Sequence, residues 1–488
     1  MKHSLWFYPT VVLIFGLGLY VVLSSGLRLQ ADRSASGRRA GDSTITTSSS
    51  QLNIPEKTRS NLGSILRENL QNPLNVLFLQ LIVILTSAKL ISRLSLKIGQ
   101  PPVIGEMIAG IVLGPSLLGM AFPKAVSFLF PAASMGSLRL FSQTGVVLFM
   151  FMVGMEMNAQ QLKEKARAAV VISHASIMAP FLLGVAISLL IYRRFAPPHI
   201  SFVSFGLFMG VAMSITAFPV LARIIEERGI SNSYLGSTAI ACAAVDDVTA
   251  WCMLTSVIAI VNVSGIESLV LTISLALVFT GFTLFILRPQ LKRIFDKDFE
   301  LGKNNHGLVV GTMILAFGCA YFTEIIGIHA LFGAFLAGVA MPAANGVRSF
   351  LKEKIGAFIS AALLPLFFAF TGLRTQIALL DDWQSWLACL GIIAVAVAGK
   401  LGGSMMAARW AGLNWSDSIS IGVLMNTRGL MELVVLNIGY DLGILTERIF
   451  AIMVLMALVT TCMTGPLLSL IALLSRKGSE QERLATIA

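Results

Sequence analysis

The sequence predicts an all-α polytopic membrane protein, and three observations carry that reading. Hydrophobic residues make up 56% of the 488 and charged ones only 12%, whereas soluble domains carry about a quarter. Apolar runs of about 20 residues recur along the chain, the length a helix needs to cross a hydrocarbon core of about 30 Å. Within those runs sit paired charges and helix-breaking polar stretches, which persist at membrane depth only where they face a cavity, a partner or an ion. A membrane β-barrel is excluded, because alternating strands do not give long continuous apolar runs.

Residues 1–26 contain an apolar run from Trp6 to Leu23 behind Lys2 and His3. It reads as a signal segment or a membrane anchor, and its length and lack of a clean small-x-small cleavage site favour an anchor. Residues 27–73, rich in Ser, Thr, Arg and Gly, cannot bury enough apolar surface to fold and are expected to form a flexible linker. The transmembrane domain is expected over 74–475. Thirteen spans are predicted near 74–92, 101–120, 138–157, 168–191, 201–224, 234–262, 267–287, 307–327, 329–342, 356–374, 384–408, 416–438 and 447–474. The span at 329–342 is short, and its boundary with the one before it is poorly defined. Residues 476–488 read as a short cytoplasmic tail, too small for a nucleotide-binding module.

The net charge of +11 is scattered through short loops and not gathered on a face. It acts as a topology signal, and nucleic acid is not implied. Loops assigned inside carry Arg93 and Lys97, Lys163 to Arg167, Arg228, Arg288 to Lys297, Arg348 to Lys354, and Arg476 with Lys477. Those assigned outside hold only Lys124, Arg193, Arg194, Arg374 and Arg448. The basic stretch at 27–72 is the exception, and a preceding anchor would translocate it regardless. The expectation is a multi-pass protein of the cell (inner) membrane with a cytoplasmic C-terminus. Cys242, Cys252, Cys319, Cys389 and Cys462 all lie in apolar segments without metal-ligand spacing, so they read as small core residues. No cofactor is expected.

The most informative residues are two adjacent carboxylates, Asp246 and Asp247, in the middle of an apolar stretch. Each costs roughly 2.5–3.5 kcal/mol to insert at the helix centre. Successive positions lie about 100° apart on a helix, so a single neighbour cannot hide both. The pair points to a site that handles a cation and a proton. Two spans are also interrupted. In Ser214-Ile215-Thr216-Ala217-Phe218-Pro219, Pro219 lacks an N–H and clashes with the carbonyl of Ile215, so the helix should open there. Asn426-Thr427-Arg428-Gly429 breaks a second span seven spans later, which therefore runs in the opposite direction. Paired broken helices of opposite direction are the mark of an inverted-repeat secondary transporter, with the ion site between them. Lys400 is the third element. It sits too deep in its span for easy snorkelling and needs a carboxylate, most economically Asp246 or Asp247.

Other charges carry less. Glu106, Glu156 and Glu324 sit toward span ends, and Glu226 with Glu227 marks a cytoplasmic mouth. Arg428 and Glu432 are four apart on one helical face and can satisfy each other. His329 reads equally as a packed interfacial histidine or a pH sensor.

Seven stretches then resemble the monovalent cation:proton antiporter-2 family, in family order over roughly residues 74–475. They are Gly99–Glu106 (GQPPVIGE), Gly110–Ser116 (GIVLGPS), Phe149–Glu156 (FMFMVGME), Ser214–Arg223 (SITAFPVLAR), Ala244–Trp251 (AVDDVTAW), Gly327–Phe335 (GIHALFGAF) and Asn426–Leu433 (NTRGLMEL). The resemblance implies a thirteen-helix sodium/proton-antiporter-like fold with inverted repeats and two crossing broken helices. It also implies separate dimerisation and core domains, working as a homodimer by an elevator-like movement. Asp247 would bind the cation, Na⁺ or K⁺, and accept the proton. Asp246 would pair with Lys400, the proton carrier, and cation entry would compete with that pair. Thr216 and Ser214 complete the expected binding set. Pro219 and the crossing of Asn426, Thr427, Arg428, Gly429 and Glu432 would frame it with backbone carbonyls and half-helix dipoles.

The Asp-Asp form with a lysine resembles the electrogenic members, which exchange more protons than cations. The chain departs from the Kef-type pattern in lacking a C-terminal nucleotide-binding domain, and from many bacterial members through its N-terminal segment. The function expected is therefore exchange of a monovalent cation for protons across a lipid bilayer. A sodium-coupled organic-anion symporter, a channel and a non-transporting pH sensor are the competing classes. An enzyme is the least supported, because the sequence offers no nucleophile–base pair or metal cluster.

Overall fold

In the computed structural model, the described residues are 13–27, 72–156, 166–230, 233–262, 266–300, 305–342 and 346–487, and their regular structure is entirely helical. The start of the expected anchor (1–12) and nearly all of the expected linker (28–71) lie outside the described residues. The apolar helix Leu13–Leu27 (α1) occupies the rest of the anchor region.

The helices that build the domain and its site follow in order. They are α2 (Pro73–Lys97), α3 (Pro102–Leu113), α4 (Ala132–Glu156), α5 (Ala166–Phe195), α6 (Phe202–Ser214), α7 (Phe218–Glu227) and α8 (Tyr234–Asn262). Then come α9 (Ile266–Gly281), α10 (Asn305–Ile326), α11 (Ala330–Ala340), α12 (Leu364–Arg374), α13 (Trp383–Trp410), α14 (Trp415–Met425), α15 (Leu430–Asp441) and α16 (Glu447–Ile487). Short polar residues start several of them by taking up free amides. Asn72 accepts from the Leu74 amide at 3.1 Å before Pro73 opens α2. Ser201 accepts from Ser204 at 3.0 Å at α6, and Asn414 accepts from Asp417 at 2.7 Å at α14.

Among the described residues ten helices are long and apolar enough to cross a bilayer, or eleven if α14 and α15, bent by 40°, count as one span. The remaining expected spans are present as shorter pieces: α6 and α7 either side of a break, and α11 of 11 residues. The doubtful boundary falls at Gly327-Ile328-His329, where Gly327 (φ 88) and His329 (φ 38) both adopt left-handed backbone. Helix α16 runs on through the expected tail to Ile487. The residues after Lys477 include Glu, Gln, Arg, Leu and Ala, all good helix formers that extend the span. The cysteines differ in part. Cys242, Cys319 and Cys389 are buried, Cys462 is intermediate and Cys252 is exposed. An outward thiol costs little against lipid.

Packing falls largely into two groups. In one, α3 packs on α2 and α12, and α11 packs on α4 and α10. In the other, α5 packs on α6, α8 and α13, and α14 packs on α13 and α8. Helix α15 joins them, touching both α6 and α12. In the first group two reciprocal glycine contacts let backbones approach closely, the usual means of association where lipid removes the hydrophobic driving force. A Cβ on Gly110 would come 2.0 Å from the Ala369 carbonyl, and one on Gly154 would come 2.2 Å from that of Phe335.

Candidate ion site at the crossing of two broken helices

The first break follows the local sequence. Helix α6 ends at Ser214, Ile215 is extended (φ −73, ψ 139), and α7 resumes at Phe218 with Pro219 as its second residue. A proline near a helix start loses no hydrogen bond, but it forbids continuation through Ile215. The second break lies between Met425 and Leu430. The two breaks touch, since the Ala217 amide donates to the Thr427 carbonyl at 3.0 Å.

The interruption frees the last carbonyls of α6, and two cations from elsewhere in the chain take them up. Arg428 donates to the carbonyls of Ala212 at 3.1 Å and Met213 at 2.6 Å. Lys400 of α13 donates to that of Ser214 at 2.5 Å. Both side chains are fully buried, and the negative end of a half-helix is a favourable place for positive charge. Each cation also has an acid. Lys400 Nζ lies 2.9 Å from Asp246 and also donates to the Ser176 carbonyl at 3.1 Å. Arg428 lies 3.2 Å from Glu432, which is equally buried.

The two neighbouring aspartates differ sharply. Besides Lys400, Asp246 accepts from Ser176 at 3.0 Å, from Thr216 at 2.7 Å, and from Ser173. Asp247 is also buried, at 1% exposure, yet neither of its oxygens makes a hydrogen bond of ordinary geometry. The Phe218 amide at the start of α7 is its one backbone donor among the described residues, outside ordinary hydrogen-bond geometry. A buried carboxylate so poorly supplied with donors is costly and favours whatever neutralises it, a proton or a metal cation. The side-chain amide of Asn426 is also buried without a hydrogen-bond partner among the described residues.

Of the residues named from sequence, Asp246, Thr216 and Lys400 meet in one network, and the Arg428–Glu432 pair forms as the spacing suggested. Thr427 contributes its carbonyl, while its hydroxyl lies 3.3 Å from that of Thr464. Gly429 fits against Val220 of α7, 2.9 Å from where a Cβ would sit. Ser214 differs from expectation. Its hydroxyl turns back to the Val211 carbonyl at 2.8 Å, so only its backbone belongs to the site. Glu324 accepts from the Ala330 amide at 2.7 Å, and His329 accepts from that of Leu331 at 3.4 Å, so both serve the start of α11. The side chains of Glu156, Glu226 and Glu227 lie outside the described residues. Sequence reasoning missed Ser173 and Ser176. Two serines three apart in an apolar span share one helical face, but that spacing alone does not say what they serve.

Residues 82–474 match the model of a family described as sodium/hydrogen exchanger, transmembrane. The chain belongs to the sodium/hydrogen exchanger family. Membership makes it a monovalent-cation/proton antiporter and not an enzyme. It is 40% identical over 81% of its length to the Na⁺/H⁺ antiporter NhaS4 of Synechocystis, of which 97% is covered. It is 39% identical to cation/H⁺ antiporter 17 of Arabidopsis thaliana over 85% of its length, and 32% identical to K⁺/H⁺ antiporter 1 of Saccharomyces cerevisiae over 86%. The chain spans about half the length of those two relatives. Its fold is similar to that of the sodium proton antiporter MjNhaP1 from Methanocaldococcus jannaschii. The TM-score is 0.57 at 15% identity, covering 80% of this chain and 97% of that one.

Proposed function

We propose that this chain exchanges Na⁺ or K⁺ for protons by alternating access, with Asp247 as the shared binding carboxylate. The single observation behind this is the buried Asp247, without a side-chain partner among the described residues, beside an Asp246 that is fully engaged. One negative site that must be neutralised can take a proton or a cation but not both. If only the occupied site crosses, the two fluxes are coupled. Relatives named for Na⁺ and for K⁺ exchange support either cation.

Asp246 and Lys400 form the competing pair. A cation arriving at Asp247 adds positive charge next to Lys400 and weakens that pair. Lys400 then gives up its proton to the emptying side, so more protons than cations move per cycle and exchange is electrogenic. Thr216 orients Asp246, and the carbonyls freed at the two breaks supply further oxygen ligands. The proposed organisation is an anchor over 1–26, a linker over 27–73, a thirteen-span antiporter domain with inverted repeats over 74–475, and a short cytoplasmic tail over 476–488. It works as a homodimer in the cell membrane, one helix group moving against the other.

The test uses everted vesicles holding the full chain under an imposed pH gradient, with Na⁺, K⁺ or Li⁺ added separately. One cation should collapse the gradient, and Asp247→Asn, which keeps the shape and removes the charge, should abolish the response. Near-normal exchange by that variant would sink the assignment.

A further inference from the structure

Away from the ion site, α2 carries Lys89 within its span and Arg93 toward its C-terminal end. Lys89 and Arg93 are four residues apart and so share one face. They line a cavity of about 210 Å³ between α2, α3 and the start of α12. Ser92 and Ser360 add hydroxyls to that lining, and Glu106 is its one acid. Two positive charges against one negative leave the cavity one anion short of balance.

The setting of the cavity says what kind of anion fits. Helix α2 is 25 residues long, and Lys89 and Arg93 stand in its last third. At 1.5 Å per residue they lie about 24 and 30 Å from its first residue. They are therefore near the far boundary of a hydrocarbon core of about 30 Å. Next to them Leu90 and Leu94, four apart and so on one face, are exposed apolar side chains turned to lipid. Lys89 and Arg93 each precede one of these leucines by one residue. A ligand held there has its charged group in the cavity and a hydrocarbon tail over the two leucines. Basic pockets between membrane helices recognise lipid headgroups by this arrangement.

We infer that the cavity between α2, α3 and α12 binds an anionic phospholipid, its phosphodiester held by Lys89 and Arg93 with Ser92 and Ser360. The single negative charge of the phosphodiester balances the cavity. A zwitterionic headgroup such as phosphatidylcholine brings a further cation and restores the excess. The site is independent of the transport reaction and of its assignment.

The test is native mass spectrometry of the purified full chain with phosphatidylglycerol or phosphatidylcholine. The unaltered chain should retain phosphatidylglycerol in preference to phosphatidylcholine. Each basic residue near an anionic headgroup is worth roughly fivefold in binding, so Lys89→Gln with Arg93→Gln should weaken retention about 25-fold. The surface control Lys124→Gln with Lys292→Gln should leave it unchanged. Ala361→Phe fills the cavity without altering charge and should also lower retention, so the proposal stays testable if the double variant misfolds. Equal retention by the double variant or by Ala361→Phe, or equal retention of phosphatidylcholine, would overturn the site. Retention of glycerophosphoglycerol, the same phosphodiester without acyl chains, as strong as that of phosphatidylglycerol would instead assign the site to a free anion and overturn the lipid.

Discussion

The two broken helices meet the same problem with different chemistry. The break after α6 exposes carbonyls that are taken up by charges, Lys400 and Arg428, each tied to a buried acid. The break before α15 is satisfied by neutral groups. The Arg428 amide donates to the Thr461 hydroxyl at 3.2 Å, that hydroxyl lies 2.7 Å from the Arg428 carbonyl, and the Thr427 carbonyl accepts from Ala217. Positive charge is thus concentrated at one end of one half-helix, next to the acid pair. The difference separates a charged side, where a cation can compete, from a neutral side that holds the crossing in register. It also predicts that the charged break is the more fragile of the two.

The largest effect is expected at Arg428. Replacing it with Ala leaves two carbonyls of α6 uncapped and strands Glu432, whose oxygens have no other hydrogen-bond partner among the described residues. Breaking a buried pair from one side costs about 3–5 kcal/mol. Thermal unfolding of the purified variant should show the largest drop in Tm of any single change at the crossing. A variant as stable as the parent would mean that the charges do not hold this break.

Lys400 should be less costly to the fold and more costly to coupling. In Lys400→Met, Asp246 keeps three hydroxyl donors, so the loss should be about 2 kcal/mol. Exchange, if it survives, should lose its dependence on membrane voltage, read in vesicles with and without an imposed potential. Unchanged voltage dependence would remove Lys400 from the proton path while leaving its capping role intact.

The hydroxyls test the same idea on a finer scale. Ser173→Ala and Ser176→Ala each remove one donor from Asp246, worth about 1.5–3 kcal/mol where the acceptor is charged. With fewer donors Asp246 leans harder on Lys400, and a cation must work harder to weaken that pair. The apparent KM for the cation in vesicle exchange should therefore rise in both variants, with little change in maximal rate. A fall in KM would show that the serines oppose the pair.

What the sequence made legible follows from cost. Asp246, Asp247, Lys400, Pro219 and the Asn426 to Gly429 stretch stand out because a charge or a missing N–H in an apolar helix is expensive wherever it sits, so its presence alone signals a site. Helix α11 and the break at Gly327 to His329 were half legible, since glycine and histidine are tolerated in many settings. Ser173, Ser176 and Thr461 were not legible. A hydroxyl can satisfy itself on the carbonyl four residues back, as Thr249 does on Val245, so serine and threonine in a span announce nothing until the neighbouring helix is known. The role of Arg428 was legible only in part, because i,i+4 spacing gives its acid but not the carbonyls of Ala212 and Met213 more than two hundred residues earlier.

The smallest effect is expected on the neutral side. Thr461→Val preserves shape and removes the one hydroxyl that serves both the amide and the carbonyl of Arg428. Hydrogen bonds between membrane helices average about 0.6 kcal/mol and reach about 1.7, so the loss of stability should fall in that range. Cation KM and voltage dependence should stay near those of the parent, because Thr461 contacts neither Asp246 nor Lys400. If Thr461→Val instead lowered exchange as strongly as Lys400→Met, the neutral break would be part of the coupling machinery, and the division between a charged side and a holding side would fail.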